Sequence, residues 1–430
     1  MHVLPSLAEK ARVTVWALPP WDPGIEKLVE VRDLSREDPW RQLNDSDCVV
    51  YHLGNNGQWH AHIWELSRLH PGVIVLHDLH LQHLFVAYHV LWKQEPEPYV
   101  SAMERCHGPE GRAVALDLVA GRTTVDEVSE RFPLTGHALE SAMGVVTHSR
   151  RAYRVAAALT RCPIALAGLP MATRARPRAD RESPGHPCRI IVMGFLGFNR
   201  GLGLLLACLH RLRGEYDFRL DVYGLVADEH GLRSQNSELN LADRVHFHGR
   251  VPRKELEAAL QDADIAVNLR FPTLGEASWS QLQYFEHGIP TIVTESGWYG
   301  DLPAGAALPV RPDQGPEDLE LRLRELMEDP LLRRRVGQAG RAAVEIHHRP
   351  DRYVERLVHL CHRATVYRGD AVALRVARTL SSALSDLSVS AAREAATEIG
   401  TVLAEALLDG KGGETKTIPA GGCRGREGVE

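Results

Sequence analysis

Short apolar, β-branched runs alternate with longer stretches of helical spacing along this chain. The runs are Arg12 to Ala17, Cys48 to Leu53, Val73 to His77, Gly144 to His148, Arg189 to Met193, Leu220 to Gly224, Asp264 to Leu269 and Thr291 to Thr294. Apolar character at successive positions, rather than at every second one, predicts parallel strands covered on both faces. Between the runs, positions such as Leu202, Leu205, Leu206, Leu209 and Leu212 fall on one face of a helix. Strand followed by helix, repeated, predicts an α/β fold. The repeats form two series. Separating them is LPMATRARPRADRESPGHPC, rich in Pro and Arg and without apolar periodicity, which reads as a linker. The expected organisation is an N-terminal domain at 1–168, a linker at 169–187, a second domain at 188–350, C-terminal helices at 351–410 drawn from the Ala- and Leu-rich stretch Ala371 to Leu408, and a disordered tail at 411–430.

Composition narrows the function classes. With 430 residues, 44% of them hydrophobic, the chain fills more than one core. Its net charge of −6 comes from interspersed acids and bases, so no broad basic face is offered to nucleic acid or anionic lipid. No apolar run reaches membrane-spanning length and the first residues lack signal-peptide features, so the expected location is the cytoplasm. The seven cysteines never fall in C-x-x-C spacing, which argues for reduced thiols over a disulfide framework or a zinc ribbon.

Two segments carry candidate chemistry. In RIIVMGFLGFNRGLGLLLACLHRLR a strand, a turn punctuated by Gly194, Gly197 and Gly201, and a helix follow directly on one another. Asn199 and Arg200 then stand beside a helix N-terminus, where free N–H groups, the helix dipole and a guanidinium all favour phosphate. A glycine-rich scaffold turn with no ligand reads the same way from this segment alone. The second segment is NLRFPTLGEASWSQLQYFEHGIPTIVTESGWYGDLP. It predicts a helix that opens near Ser278 and closes at Gly288, so that Ser278, Trp279 and Ser280 present backbone N–H groups. Glu276 stands one step earlier, either to accept hydrogen bonds from sugar hydroxyls or as an ordinary helix-start carboxylate.

Taken together, GFLGFNRG, RVHFHGRVPRKELEAALQDADIAVNL, GEASWSQLQYFEHGIPTIVT and DPLLRRRVGQAGRAAVEIHH resemble, in order and spacing, the retaining GT-B glycosyltransferases of the group 1 type. The resemblance implies two Rossmann-like domains facing across a cleft. It also implies transfer of a sugar from a nucleotide-diphosphate sugar, with retention and in service of glycan biosynthesis. No metal or other cofactor is implied, the nucleotide sugar being a substrate. Gly197, Asn199, Arg200, Ser278, Trp279, Ser280 and Gln283 fall on the donor-binding positions, and Glu276 on the sugar side. Departures are visible. Counting back from Gly288 and Pro290, the family's two glutamates fall on Gln283 and Gly275, leaving Glu276 offset by one, and Phe195 stands where an arginine is common.

YHLGNNGQWHAHIWELSRLHPGVIVLHDLHLQHL resembles the acceptor-side domain of the same family. Asn55, Asn56 and Gly57 follow a strand, at the sheet edge where open α/β sheets bind ligands. His77 and Asp78 end the next strand, and the resemblance makes His77 the histidine that faces the transferred sugar, a catalytic position with Glu276. His60, His62, His70, His80, His83 and His89 raise a metal reading, but the spacing from His77 through His80 to His83 does not converge on one helical face, and no metal is expected. His148 and Ser149 end a further strand, with Arg150 and Arg151 as acceptor contacts or as a plain basic helix start. Only LPSLAEKA, the end of a helix, precedes Arg12, so the family's first strand and glycine-containing loop are expected to be missing. The expected function is glycosyl transfer to a glycan, lipid-linked or small-molecule acceptor. The alternatives are a truncated or non-catalytic nucleotide-sugar-binding protein and another GT-B enzyme such as a sugar-nucleotide epimerase.

Overall fold

The computed structural model describes residues 2–173, 186–311 and 315–384, with side chains described as far as Tyr367. Residues 174–185 of the expected linker, the part of the expected C-terminal helices at 385–410 and the expected tail at 411–430 lie outside the described residues. One compact unit ends at Ala371 and a second begins at Val372. Of the second, the described residues are the last turns of the helix Pro350–Leu384.

Among the described residues of the first unit lie three parallel sheets. A two-stranded ladder joins β1 (Thr14–Ala17) to β2 (Glu30–Asp33). A four-stranded sheet, in chain order, holds β3 (Val50–Leu53), β4 (Gly72–Leu76), β5 (Ala142–Thr147) and β6 (Ile164–Leu166). The six-stranded sheet contains β7 (Cys188–Leu196), β8 (Phe218–Val226), β9 (Val245–Gly249), β10 (Ile265–Asn268), β11 (Thr291–Thr294) and β12 (Leu308–Val310). Its order is β12-β11-β10-β7-β8-β9. The chain therefore winds outward from β7 in one direction, returns to the middle, and winds outward from β10 in the other. Such a reversal leaves a crevice beyond the C-terminal ends of β7 and β10, because the loops leaving those strands diverge to opposite faces.

The runs read as strands from sequence are strands, but Arg12 to Ala17 differs in its setting. Its strand β1 is half-buried and pairs only with the polar β2 among the described residues. By contrast β4, β5, β10 and β11 are buried at every position, as continuous apolar runs require.

Each large sheet has its own core. One face of the N-terminal sheet packs against Trp64, Phe85, Tyr99 and Met103, and the helix Leu202–Leu212 covers one face of the C-terminal sheet. The other face of the N-terminal sheet is covered by a distant part of the chain. Helix Pro350–Leu384 leaves the C-terminal half and lays Tyr353, Val354, Leu357, Leu360 and Ala364, spaced at helical periodicity, against Val73, Val75 and Val146.

The two halves meet close to the crevice. The amides of Leu79 and His80 both donate to the carbonyl of Leu274, each at 3.1 Å. Asp301 of the C-terminal half accepts from the amide of Arg150 at 2.5 Å. At this seam Gly275 has φ +80°, and a Cβ there would come within 2.6 Å of the Leu79 Cβ, so only glycine fits both the backbone and the approach.

Candidate active site at the cleft

The crevice predicted by topology holds Arg200. After β7 the chain makes a short 3-10 turn, Phe198–Arg200, and then Gly201 adopts φ +59° to start the helix Leu202–Leu212. Gly197, in extended conformation, opens that turn by accepting the Arg200 amide at 3.1 Å. Asn199 is buried and faces inward, its Nδ2 donating to the carbonyl of Pro272 at 3.2 Å while its own carbonyl accepts the amide of Phe271 at 2.9 Å. It thus ties the β7 loop to the β10 loop. Phe195, at the position where the family commonly has arginine, is 64% exposed, and Phe198 is 58% exposed.

Arg200 donates to a neutral partner. Its Nη1 reaches Asn268 Oδ1 at 3.1 Å, and no carboxylate forms an ion pair with it among the described residues. Burial first, and then the like charge of Arg270, push its guanidinium down to about 10, which leaves it charged at neutral pH. Asn268, the buried last residue of β10, is the hub. Its Nδ2 donates to Ser278 Oγ at 3.2 Å and to Gln281 Oε1 at 3.0 Å. Ser278 caps the helix Trp279–Glu286 by accepting the Gln281 amide at 3.2 Å, and its hydroxyl lies 3.1 Å from that of Ser280. The amides of Trp279 and Ser280 have no acceptor among the described residues. A chain of hydrogen bonds therefore joins a half-buried guanidinium to a helix N-terminus with free donors. Trp279 packs edge-on against His2, with ring centroids 4.7 Å apart, and Gln283 is half-buried in the same helix.

Arg270 is the second cation here. It pairs with Glu276, and the two side chains are 12% and 13% exposed. Burial opposes its charge, but Tyr299 and Glu276 outweigh burial and hold it above its ordinary value. Arg270 Nε is buried without a partner. The Glu276 carboxylate also accepts the Leu274 amide at 2.9 Å, so it folds the loop ahead of the helix as well as neutralising Arg270. Of the two half-buried arginines only Arg270 is paired with a carboxylate, which leaves positive charge on Arg200 in the crevice.

On the opposite wall the C-terminal ends of β3, β4 and β5 gather histidines. His77 Nε2 lies 3.0 Å from His52 Nδ1. Its ring stacks on His52 and on His148, with both centroid separations 5.2 Å, and His60 is 6.4 Å away. His60 Nδ1 donates to the His52 carbonyl and His148 Nδ1 to the Ala167 carbonyl, each at 2.9 Å. In neutral imidazoles those donations leave Nε2 of His60 and His148 as acceptors, and the one on His148 is buried without a partner. Burial first, then the neighbouring imidazoles, holds the half-buried His77 well below its ordinary value, and His52, though itself exposed, is lowered in the same direction. This is a neutral row.

Asp78, next along, accepts the Asn55 amide at 2.7 Å. Burial raises its carboxyl to about 7, the Asn55 hydrogen bond opposes that rise, and Glu276 across the seam adds to it. The other histidines singled out from sequence do not join the row. His83 contacts Asn55 Nδ2 and Asp126, both at 3.0 Å, and His80 is buried with Nδ1 unpartnered. Among the described residues no group of three or more His, Cys, Asp or Glu is placed to hold a metal ion, and no helix is long and apolar enough to cross a membrane. Arg150 and Arg151 are exposed at the start of the helix Arg150–Leu159. Sequence reasoning missed Asn268, Arg270 and the company that His77 keeps. A polar residue closing a fully apolar strand was the available signal for Asn268.

Comparisons with known proteins agree with this geometry. Residues 174–343 match the family model described as glycosyl transferases group 1. No curated protein matches the chain by sequence. Among solved structures, a sucrose-phosphate synthase from Thermosynechococcus elongatus is similar with a TM-score of 0.57 and 16% identity, over 84% of this chain and 91% of that one. The Anabaena protein HepE, solved in complex with UDP, is similar with a TM-score of 0.54 and 13% identity, over 83% of this chain and 94% of its own. WaaG, a glycosyltransferase involved in lipopolysaccharide biosynthesis, gives 0.52 and 13% over 81% and 92%. At these identities the likeness speaks for the fold, while the family model speaks for the domain that holds Arg200 and Ser278. Residues 174–343 thus carry a glycosyl transferases group 1 domain, and the chain has the fold of the GT-B glycosyltransferases.

Proposed function

We propose that the protein transfers a sugar, with retention, from a nucleotide-diphosphate sugar to an acceptor held on the histidine side of the cleft. The observation that carries this reading is the uncompensated charge of Arg200. A half-buried guanidinium whose polar partner is a neutral amide lacks a counter-charge that an anion would supply. It stands beside free helix N–H groups at the crevice where an α/β sheet takes its ligand. The complex of HepE with UDP supports a nucleotide diphosphate as that anion. Arg200 and the amides of Trp279 and Ser280 bind the donor diphosphate and stabilise the charge that grows on it as the sugar leaves. Gln283 meets the ribose. Glu276, which keeps free lone pairs after accepting from Arg270 and Leu274, and His77 on the opposite wall orient the sugar. Protein cations supply the electrostatic stabilisation, so activity is expected to survive a chelator.

Incubating the chain with a panel of labelled nucleotide sugars and glycan, lipid-linked and small-molecule acceptors tests the proposal. Label should pass to an acceptor with release of nucleoside diphosphate, and EDTA should not slow it. Release of nucleotide with an altered free sugar and no acceptor dependence would instead show another GT-B chemistry.

A further inference from the structure

One face of the C-terminal sheet carries an apolar stripe that outruns its cover. On that face Met193 of β7 stands in register with Tyr223 of β8, and both are buried in one cluster with Leu260 and Tyr284 from the helices Arg253–Asp262 and Trp279–Glu286. Side chains return to the same face of a strand every second residue, so Phe195 and Leu225 come next, again in register and therefore side by side. They are 64% and 47% exposed. Leu196 and Val226, one step further along, turn back to the core of the opposite face. Single exposed apolar residues are ordinary, but this pair is continuous with the Arg200 site. Arg200 Nη2 lies 3.4 Å from where a Cβ on Gly194 would stand, immediately before Phe195 in the chain, and the Phe195 ring lies equally close, 3.4 Å, to the Cβ position of Gly197. A phenyl ring and a guanidinium without a carboxylate partner thus flank one turn.

The place of the pair in the sheet decides what it can hold. Leu274 and Asp301, which meet the N-terminal half, lie in the segments that leave β10 and β11. In the order β11-β10-β7-β8, β8 lies on the far side of β7 from them. A nucleotide sugar whose diphosphate rests on Arg200 and whose sugar faces the histidine wall therefore extends its nucleoside along β7 toward β8. We infer that the nucleobase of the donor stacks on Phe195, with Leu225 at its edge, and that Phe195 is the residue by which the site selects nucleoside diphosphates over diphosphates that carry no base. This rests on the reading of Arg200 as the donor diphosphate site. Every base presents a π-face, so stacking on a phenyl ring favours nucleotides as a class and discriminates weakly among bases. The ring carries no charge. Its share of the affinity should therefore persist as salt is raised, while the share due to Arg200 weakens.

The test titrates UDP, ADP, GDP and inorganic pyrophosphate into the full chain by calorimetry, with melting temperature as the folding control. Wild type should bind the three nucleotides more tightly than pyrophosphate. Phe195→Ala should weaken nucleotide binding about five- to a hundredfold, the usual cost of losing one stacked base, and leave pyrophosphate binding and the melting temperature unchanged. Phe195→Trp should keep nucleotide affinity, and the fluorescence of the new indole should be quenched by a nucleoside diphosphate and not by pyrophosphate. Wild-type binding of pyrophosphate as tight as that of the nucleotides would overturn the inference and leave Arg200 as an anion site. Nucleotide binding by Phe195→Ala equal to that of wild type would overturn it too. So would an equal loss of nucleotide and pyrophosphate in that variant, because Phe195 would then shape the phosphate turn and not meet the base. Binding of neither ligand to wild type would remove the donor reading itself, and this inference with it.

Discussion

The two walls of the cleft handle burial in opposite ways. On the C-terminal side two arginines stay charged, because a guanidinium holds its proton far above neutral pH even when burial and a neighbouring cation lower Arg200 to about 10. On the N-terminal side His52, His77 and His148 give up their charge, since imidazole loses its proton at a small cost. One wall is fixed positive charge and the other is neutral polarity. The contrast suits a reaction in which a diphosphate departs on one side while a sugar and an uncharged hydroxyl meet on the other.

The largest expected effect breaks the charged wall. Arg200→Ala should lower nucleoside diphosphate affinity about ten- to a hundredfold, the loss of one charge-assisted contact, and should lower turnover further because the charge on the leaving group grows in the transition state. Single-turnover kinetics beside equilibrium binding separates the two losses. Next in size is Asn268→Asp, which leaves Arg200 in place but gives it a carboxylate in contact. The guanidinium is then neutralised from within, and nucleotide affinity should fall about tenfold or more. Gln281, whose Nε2 is buried without a partner, can turn its amide toward the new carboxylate. The melting temperature should therefore hold or rise, separating loss of charge from loss of fold.

The neutral wall answers to pH. His52 and His77 titrate lower in the folded chain than in the unfolded one, so the unfolded state binds more protons as pH falls. Stability should accordingly decline from about pH 6.5, the unfolded histidine value, down toward 4. His77→Phe, which keeps the stacked ring and cannot be protonated, should flatten that decline in a series of thermal melts. Asp78 has the opposite sign. Its folded value of about 7 exceeds the unfolded one, so its contribution is complete below the ordinary carboxylate range and is lost as pH rises through 7. Asp78→Asn should then be more stable than wild type at pH 8 and not at pH 5. This is the smallest of the expected shifts, because a single partly compensated carboxyl drives it.

Legibility in the sequence followed burial. Strands covered on both faces, such as β4, β5, β10 and β11, announce themselves as apolar runs. The strands that escaped notice, β2, β6, β9 and β12, lie at sheet edges, where one side needs no neighbour and the residues can be short or polar. EVRD makes β2, and β12 carries Pro309, which an edge tolerates because no ladder partner needs its missing N–H. At the site, Arg200 and Ser278 were visible because their chemistry is local, being a turn and a cap. Asn268 and Arg270 lay unremarked within a stretch already singled out, since their meaning depends on what they touch. The histidine row could not be read at all. His52, His77 and His148 come together only because β3, β4 and β5 end at the same height in one sheet.

The central claim is that Arg200 belongs to an anion-binding site and is not a scaffold residue. Calorimetric titration of nucleoside diphosphate into wild type, Arg200→Ala and Glu276→Gln, with melting temperature as the folding control, tests it most directly. The account predicts saturable binding to wild type and a loss of about ten- to a hundredfold in Arg200→Ala at unchanged melting temperature. Glu276→Gln should bind the bare nucleotide at least as well as wild type, because removing the carboxylate leaves Arg270 uncompensated as well. Equal binding by Arg200→Ala and wild type would contradict the account and place the phosphate site elsewhere.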